Sequence, residues 1–161
     1  MGTRVAPEFE VRPGDFSDPQ VISLLEFHVA EAFANSPPEL AYVLDLSKLQ
    51  VPEIEFITIW QDDDLVGMGA LKHLSDEQCE VKSMRTHPDH LRKGVARKVL
   101  ETLIGMAKSG GYKSVSLETG TTEEYRPALG LYLSFGFKKG EAFADYAVSD
   151  FNTYYHLNLA S

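Results

Sequence analysis

The sequence predicts one α/β domain of the α+β kind, residues 1–161, in which helices pack on a mixed but mostly antiparallel sheet. The length of 161 residues suits a single domain with its own core. The 43% hydrophobic content is ordinary for a soluble globular chain and too high for a disordered one. Helical and strand-like apolar periods follow in the order helix, antiparallel meander, helix, strand, helix and two strands. A strand–helix–strand step within a meander implies a parallel pair, so the sheet is mixed.

The first elements are a short strand and a long helix. Glu8–Arg12 is the predicted strand. Asp18 then precedes Val21–Phe33, where apolar residues recur at helical spacing, and this places a cap at the start of a helix. Pro37-Pro38 ends that helix, because proline cannot continue one. We expect Glu39–Pro52 to form a short helix and a loop.

An antiparallel meander follows. Ile54–Trp60 is rich in β-branched and aromatic residues, and Asp62–Asp64 is a turn signal after it. Leu65–Leu74 resumes as the second strand of a hairpin. Gln78–Thr86 is a third strand, which Pro88 closes.

The rest of the chain alternates helices and strands. Gly110-Gly111 marks the end of the central helix. The predicted elements are a helix at Lys93–Ser109, a strand at Lys113–Thr119, a helix at Glu123–Ser134 and late strands at Phe137–Lys139 and Thr153–Leu159.

Composition narrows the class of protein. The formal net charge of −9 argues against nucleic acid as a partner. No apolar run approaches the length of a membrane span. The single cysteine, Cys79, excludes an internal disulfide and fits a reducing compartment. We therefore expect a cytoplasmic protein that acts without a membrane, as a monomer or homodimer.

A basic window, Lys82–Lys98, interrupts this acidic chain. The stretch Met84–Ala96 ends a strand, crosses a loop and opens a helix near Gly94. The first turn of a helix has amide hydrogens without intrahelical partners, and its dipole favours an anion such as a diphosphate. Small residues at Gly94 and Ala96 let a ligand approach the backbone. Considered by themselves, these residues do not establish anion binding. They could equally form an ordinary turn followed by a solvated helix face. The cations of the window are Lys82, Arg85, Arg92, Lys93, Arg97 and Lys98.

The same segment resembles motif A of the GNAT superfamily, strand–Pro–x–x–(Gln/Arg)–x–x–Gly–x–(Gly/Ala). Pro88 lies six residues before Gly94, and Ala96 fills the last small position. Leu91 departs from the pattern where Gln or Arg is usual. The resemblance implies a GNAT fold, with six to seven strands flanked by about four helices, and acetyl-CoA as co-substrate without a metal. The implied cofactor-binding residues are Met84, Arg85, Thr86, Leu91, Arg92, Lys93, Gly94, Val95, Ala96, Arg97 and Tyr125. It also implies a bulge that splays the strand carrying Met84 from the next strand and makes room for the thioester.

A second segment, Ala128–Phe137, resembles motif B of the same superfamily, Ala-x-x-Leu-Tyr-x-x-x-Gly-Phe. In that family the tyrosine, Tyr132 here, protonates the thiolate that leaves when an amine attacks the thioester. The spacing alone leaves open a plain core stripe, in which the phenol only packs. Tyr125 stands where many relatives carry an asparagine that contacts the cofactor.

The proton acceptor for the attacking amine stays open among several groups. Glu80 is the first candidate catalytic base, because residues 80, 82, 84 and 86 share one face of a regular strand. A bulge would shift the register and favour Ser83. The alternatives are Glu118, water, and an ion pair of Glu80 with a lysine of a neighbouring strand that gives it no catalytic role. His73, His87 and His90 are weaker candidates, and no metal-site spacing is present.

The sequence is compatible with two functional hypotheses. The first is an N-acetyltransferase that acts on a primary amine of a small molecule, by direct attack and without an acyl-enzyme. The second is a non-catalytic module that senses acyl-CoA and regulates a protein partner. The acidic surplus favours a cationic acceptor. The candidate acceptor-site residues are Phe27, Glu31, Pro37, Pro38, Tyr42, Phe143, Tyr146 and Tyr155.

Overall fold

The computed structural model describes residues 9–35, 49–121, 125–144, 146 and 152–159, which form a seven-stranded sheet with three α-helices. Among these residues, no helix combines the length and apolar character needed to cross a bilayer. The strands are β1 (Glu10–Pro13), β2 (Ile54–Gln61), β3 (Asp64–His73), β4 (Gln78–Thr86), β5 (Ser114–Gly120), β6 (Lys138–Gly140) and β7 (Asn152–Asn158). The helices are α1 (Pro19–Asn35), α2 (Val95–Ser109) and α3 (Arg126–Ser134), and a single 3₁₀ turn covers Pro88–His90.

Strands β1 to β4 form the predicted antiparallel meander. β2 and β3 are joined at the pair Gln61↔Asp64 by a two-residue loop, in which Asp62 is left-handed with φ 55°. Aspartate tolerates this conformation better than most residues, so the run of aspartates makes a tight hairpin. The meander brings β4 to the middle of the sheet.

The chain then leaves the sheet through α2 and returns in parallel to β4. Four register pairs, from Gln78↔Ser114 to Val81↔Leu117, join β4 to β5. β7 pairs antiparallel with β5, and β6 pairs with β7 at the far edge. The sheet is therefore mixed and mostly antiparallel, as the sequence predicts.

Each face of the sheet carries its own core. On one face, the apolar stripe of α2 packs with residues of α3 and of the strands around Val81 and Leu117. On the other face, Val21, Leu24 and Leu25 of α1 pack on the β1–β3 side of the sheet. This leaves β4, at the centre, with one face toward α2 and the other toward α1.

The predicted elements are confirmed, with shifts of a few residues at their ends. The first strand begins at Glu10 rather than Glu8, and the central helix begins at Val95 rather than Lys93. The side chain of Asp18 accepts a hydrogen bond from the Gln20 amide at 2.9 Å, as expected of a helix cap. The predictions for Pro37-Pro38, for most of Glu39–Pro52 and for the start of the Glu123 helix concern residues outside the described ones.

Candidate functional site

Strand β4 carries a bulge in its second half. Ala70 pairs with Lys82 and Met68 pairs with Arg85, so one extra residue is inserted in β4 between the two pairs. Ser83 lies at this point with φ 56°. A bulge bends its strand and interrupts the ladder. The bulge that the resemblance implied is therefore present.

β4 and β5 separate at the bulge. Their register pairs stop at Val81↔Leu117, so Met84–Thr86 and Glu118–Gly120 continue side by side without pairing to each other. The backbone edges of both segments therefore border a V-shaped opening in the sheet. An extended ligand that enters such an opening can pair with a strand edge as an additional strand would.

The bulge also overturns the predicted facing of β4. Residues 80, 82, 84 and 86 do not share one face, because the extra residue reverses the alternation. Met84 packs with the α2 core, whereas Glu80, Lys82 and Arg85 lie on the α1 face. Glu80 and Met84 thus lie on opposite faces of the sheet.

The loop before α2 has the backbone form of an anion-binding concavity. Arg92 and Gly94 both adopt left-handed conformations, with φ 63° and φ 86°, and α2 starts at Val95. Within the described residues, the backbone amides from Arg92 to Arg97 have no hydrogen-bond acceptor. A Cβ added at Gly94 would meet nothing within 4 Å, so the space above this backbone is open. Successive free amides of this kind form a nest for a phosphate.

The cations of the basic window are distributed around this loop rather than gathered on it. Arg92 and Lys93 are exposed, and Lys93 Nζ lies 3.2 Å from His90 Nδ1. Arg97 stacks over the ring of Phe135 at 5.1 Å, which turns it toward the end of α3. Leu91, where the family pattern has a polar residue, is 59% exposed. The backbone amides, and not these side chains, are therefore the fixed donors of the loop.

Tyr132 of α3 lies on the α2 side of the sheet. It is buried in the core shared with α2 and contacts the ring of Phe137, so the core-stripe interpretation is correct for its ring. Burial raises the pKa of Tyr132 to about 12, the charge of Glu118 adds to the rise, and Arg85 opposes it. Its hydroxyl has no hydrogen-bond partner among the described residues. The phenol therefore lies within electrostatic range of both separated strands and is protonated at neutral pH.

Tyr125 stands at the outer end of the opening. A Cβ on Gly120 would collide with the Tyr125 ring, so the ring lies directly beside the last residue of β5. The glycine is needed for this close approach. Tyr125 also lies within electrostatic range of Arg85 across the gap.

Glu80 is enclosed by two hydrogen-bonding partners. It is 2% exposed, and its Oε2 lies 3.1 Å from Lys82 Nζ and 2.5 Å from the Tyr146 hydroxyl. Lys82 Nζ also donates to the Tyr146 hydroxyl, and the Tyr146 ring lies under the same ammonium. The geometry matches the ion-pair alternative, except that the lysine is on the same strand and not on a neighbouring one.

Glu118 occupies a more open position on β5, one residue beyond the last β4–β5 pair. It accepts a hydrogen bond from the side-chain amide of Asn152. Burial is the main cause of its raised pKa; Asn152 and Lys82 oppose the shift and Glu80 adds to it. A carboxylate with a raised pKa at the edge of a cleft has the properties of a proton acceptor.

Arg85 lies on the α1 side of β4, in the segment that borders the opening. Its Nε donates to His28 Nδ1 at 3.0 Å, and its guanidinium lies over the ring of Phe27 at 5.4 Å. Burial and the neighbouring Arg85 charge lower the pKa of His28 to about 3, so the imidazole is neutral and its Nδ1 is an acceptor. Glu31, one turn further along α1, acts on Arg85 electrostatically without forming an ion pair.

The remaining acceptor-site candidates lie on different faces of the sheet or outside the described residues. Phe143 packs with Tyr146 and Tyr154 on the α1 face, at 5.2 and 5.9 Å between ring centroids. Tyr155 does not line this face; it is buried in the α2 core opposite Leu117, because alternate residues of β7 point to opposite faces. Three predicted residues, Pro37, Pro38 and Tyr42, lie outside the described residues.

The other reactive side chains are not placed for catalysis. His73 bonds to Tyr112 at the end of the sheet opposite to the opening. His87 caps the 3₁₀ turn by accepting from the Asp89 amide, and His90 neighbours Lys93. Burial raises the pKa of Cys79 to about 12, so its thiol is not a nucleophile at neutral pH. No cluster of metal-ligating residues occurs in the part of the chain that the structure describes.

Sequence reasoning missed His28 and Asn152 as members of the site. His28 lies on the predicted first helix between the candidates Phe27 and Glu31, so helical spacing alone placed it near them. Asn152 reaches Glu118 from 34 residues away, through the pairing of β5 with β7. No local signal in the sequence indicates that pairing.

Comparisons with known proteins find similar sequences over most of this chain. The model of the acetyltransferase (GNAT) family matches residues 21–137. The uncharacterised N-acetyltransferase YsnE of Bacillus subtilis is 47% identical over 136 residues, which cover 84% of this chain and 90% of YsnE. The uncharacterised N-acetyltransferase YedL of Escherichia coli is 38% identical over 151 residues, which cover 94% of this chain and 95% of YedL.

Solved structures share the architecture. A Klebsiella pneumoniae protein assigned as an acyl-CoA N-acyltransferase has a TM-score of 0.77 at 23% identity, over 94% of this chain and 98% of its own. A GNAT family acetyltransferase from Elizabethkingia anophelis, solved with acetyl-CoA bound, has a TM-score of 0.69 at 17% identity, over 94% of this chain and 98% of its own. At these identities the likeness establishes the fold.

Proposed function

Because the chain belongs to the acetyltransferase (GNAT) family, we propose that it transfers an acetyl group from acetyl-CoA to a primary amine by direct attack. The family match spans most of α1, the bulged strand β4, the loop before α2, and α3 with Tyr132. Two N-acetyltransferases resemble it over most of their own length. The observation that carries the proposal is the opening between β4 and β5, together with the Tyr132 phenol within electrostatic range of both strands and the free amides before α2.

The predicted cofactor-binding residues have properties that suit acetyl-CoA. The amides from Arg92 to Arg97 would hold the diphosphate, and the backbone of Met84–Thr86 would hold the pantetheine arm. Tyr125, lying on Gly120, would line the other edge of the opening. When bound, acetyl-CoA supplies an acetyl thioester. The neighbour from Elizabethkingia anophelis, with acetyl-CoA bound, supports this choice of co-substrate.

Two residues of this chain would move protons. The Tyr132 phenol has a raised pKa, so it keeps its proton near neutral pH and can donate it to the leaving sulfur. Glu118 is the carboxylate whose surroundings best suit acceptance of the amine proton, directly or through water. Glu80 stays a predicted base as well, but its oxygen is already shared by Lys82 and Tyr146. Ser83 has no hydrogen-bond partner among the described residues that would activate it.

Free-thiol release across amino acids, polyamines, arylamines and peptide N-termini tests the activity. We expect acetylated product, identified by mass, with at least one amine. Tyr132→Phe should lower kcat about 100-fold or more, because the leaving group loses its proton donor, while CoA binding measured by calorimetry stays unchanged. CoA binding without turnover of any amine would contradict the proposal and favour the acyl-CoA sensor. Full activity of Tyr132→Phe would remove the phenol from the mechanism.

A further inference from the structure

The guanidinium of Arg85 has donors that the fold does not use. Arginine carries five N–H donors, one on Nε and four on the two Nη atoms. Within the described residues, Arg85 makes one hydrogen bond, from Nε to His28 Nδ1, and no ion pair within 4.0 Å. Both Nη atoms are therefore available, and together they form one edge of a planar fork.

The fork is held in place rather than left mobile. His28 accepts a hydrogen bond from Nε, and Cζ lies over the Phe27 ring at 5.4 Å from its centroid. Burial lowers the pKa of Arg85 below its usual value, although a guanidinium remains charged. A cation that is partly removed from water interacts more strongly with a counter-ion than an exposed one. A bidentate anion is the ligand that such a fixed fork matches.

The fork and a carboxylate act on Tyr132 with opposite sign. Arg85 lowers the pKa of the phenol and Glu118 raises it, so both charges lie within electrostatic range of the hydroxyl. Arg85 is on β4 and Glu118 is on β5, on opposite sides of the opening. A molecule placed beside the phenol would therefore meet a positive pole and a negative pole.

We propose that the acceptor is an amino acid, whose carboxylate binds the Nη edge of Arg85 while its amino group lies toward Glu118. This inference rests on the proposed function and names the substrate class of the same site. It departs from the cationic acceptor that the overall charge favours, because one half-buried guanidinium decides the local field more than the net charge of −9 does.

A carboxylate fits the site better than a phosphate group does. The fork accommodates either anion geometrically. Glu31 also acts on Arg85, and Glu118 lies across the opening, so the site already holds negative charge. A dianionic phosphate would be repelled by both, whereas a single carboxylate is balanced by the one guanidinium.

The test compares amino acids with the amines that lack their carboxylate. L-Phenylalanine is paired with 2-phenylethylamine and L-lysine with cadaverine, each natural L-amino acid is screened, and O-phosphoethanolamine serves as the phosphate arm. We expect the preferred acceptor to be an amino acid, with kcat/KM about 100-fold above its decarboxylated partner, the value of two charge-assisted hydrogen bonds. Equal or better turnover of the amines, or of peptide N-termini alone, would overturn the proposal, and preference for O-phosphoethanolamine would overturn the carboxylate assignment.

Variants assign the preference to the fork. Arg85→Gln should lower kcat/KM for the amino acid about 100-fold and change that for the amine less than threefold. Arg12→Gln is the matched control, because Arg12 also stacks over an aromatic ring, Trp60 at 4.7 Å, but lies on the edge strand β1. The control should leave both values unchanged. An equal loss for both acceptors in Arg85→Gln would mean that Arg85 serves the fold or the cofactor only.

His28 is a positioning residue in this scheme. His28→Phe removes the acceptor that orients the fork, so KM for the amino acid should rise about tenfold with little change in kcat. His28→Gln retains an acceptor and should recover most of the wild-type KM. A merely structural role would instead lower the melting temperature of both variants without separating KM from kcat.

A binding measurement separates failure of this inference from failure of the proposed function. Calorimetry with the CoA-bound protein should detect the preferred amino acid for wild type and not for Arg85→Gln. Binding without acetylation would refute the transferase and uphold the acceptor site. Acetylation of amines regardless of a carboxylate would uphold the transferase and refute the acceptor site. The absence of both binding and turnover would refute the transferase and the acceptor site together.

Discussion

Glu80 and Glu118 lie on the same face of neighbouring strands, yet their surroundings suit different tasks. Glu80 is buried against Lys82 and Tyr146, and its charge is neutralised at close range. Glu118 sits at the edge of the opening, and burial raises its pKa. A buried, paired carboxylate stabilises its partner, whereas a half-buried one with a raised pKa can exchange a proton during the reaction.

Replacing each carboxylate separates these tasks. Glu118→Gln should lower kcat/KM about 100-fold and remove the acidic limb of its pH profile, because the amine loses its proton acceptor. In wild type this limb should lie above the usual carboxyl range, since activity appears only as the raised pKa of Glu118 is exceeded. Steady-state rates measured from pH 5 to pH 9 give the result.

Glu80→Gln is the matched control for that experiment. It leaves Lys82 buried without its counter-charge, so the unfolding free energy should fall by about 3 kcal/mol while the acidic limb persists. Loss of the limb in Glu80→Gln, with a normal profile in Glu118→Gln, would instead identify Glu80 as the base.

Positions of single residues were predictable from sequence where they depend on local pattern. Gly94 directly precedes the predicted central helix, and Tyr132 lies on the predicted later helix with its ring in the core. The contact of Tyr146 with Glu80 joins residues 66 positions apart. Such a contact depends on where the segment after β6 lies relative to β4, and sequence spacing carries no information on that placement.

Among the elements, β4 determines the geometry of the site. Its bounds were predicted correctly, but the facing of its second half was not. The extra residue at Ser83 moves Arg85 to the face that a regular strand would give to Met84. Hydrophobic alternation cannot reveal a one-residue insertion in a strand whose residues after Val81 are all partly exposed.

The first turn of α2 depends on Gly94, and a substitution there can isolate the contribution of this glycine. Gly94→Ala places a Cβ on a backbone with φ 86°, which costs about 1 kcal/mol of stability, and it puts a methyl group into the open space beside the free amides. We expect the Kd for CoA to rise about tenfold or more, as the loss of one hydrogen bond to a charged group predicts. Calorimetry with CoA and denaturant unfolding measure the two effects.

Gly111→Ala is the control for strain alone. Gly111 has φ 83° and, like Gly94, no atom within 4 Å of an added Cβ, but it lies just beyond the other end of the same helix. It should lose a similar stability without any change in CoA binding. Equal weakening of CoA binding by both substitutions would mean that helix stability, and not the amide nest, controls affinity.

In the whole molecule, the two halves of the sheet meet along a short seam. β1 to β4 and β5 to β7 are each fully antiparallel, and only four parallel register pairs join them. Beyond those pairs the seam is open, and the proposed pantetheine site occupies it. A ligand there would connect the halves through backbone contacts that the chain alone does not make.

Hydrogen exchange with and without CoA tests this view of the seam. CoA at about 100 times its Kd adds about 2.7 kcal/mol to the folded state, enough to slow exchange through ligand-releasing openings about 100-fold. We expect slower exchange in Met84–Thr86, in Glu118–Gly120 and in the loop from Arg92 to Arg97, because the proposed sites for the arm and the diphosphate include all three. ATP has phosphates but no pantetheine arm, so it should protect the loop at most. Protection of the loop by CoA with no change in either strand end would show that the arm does not enter the opening, and that β4 and β5 separate for another reason.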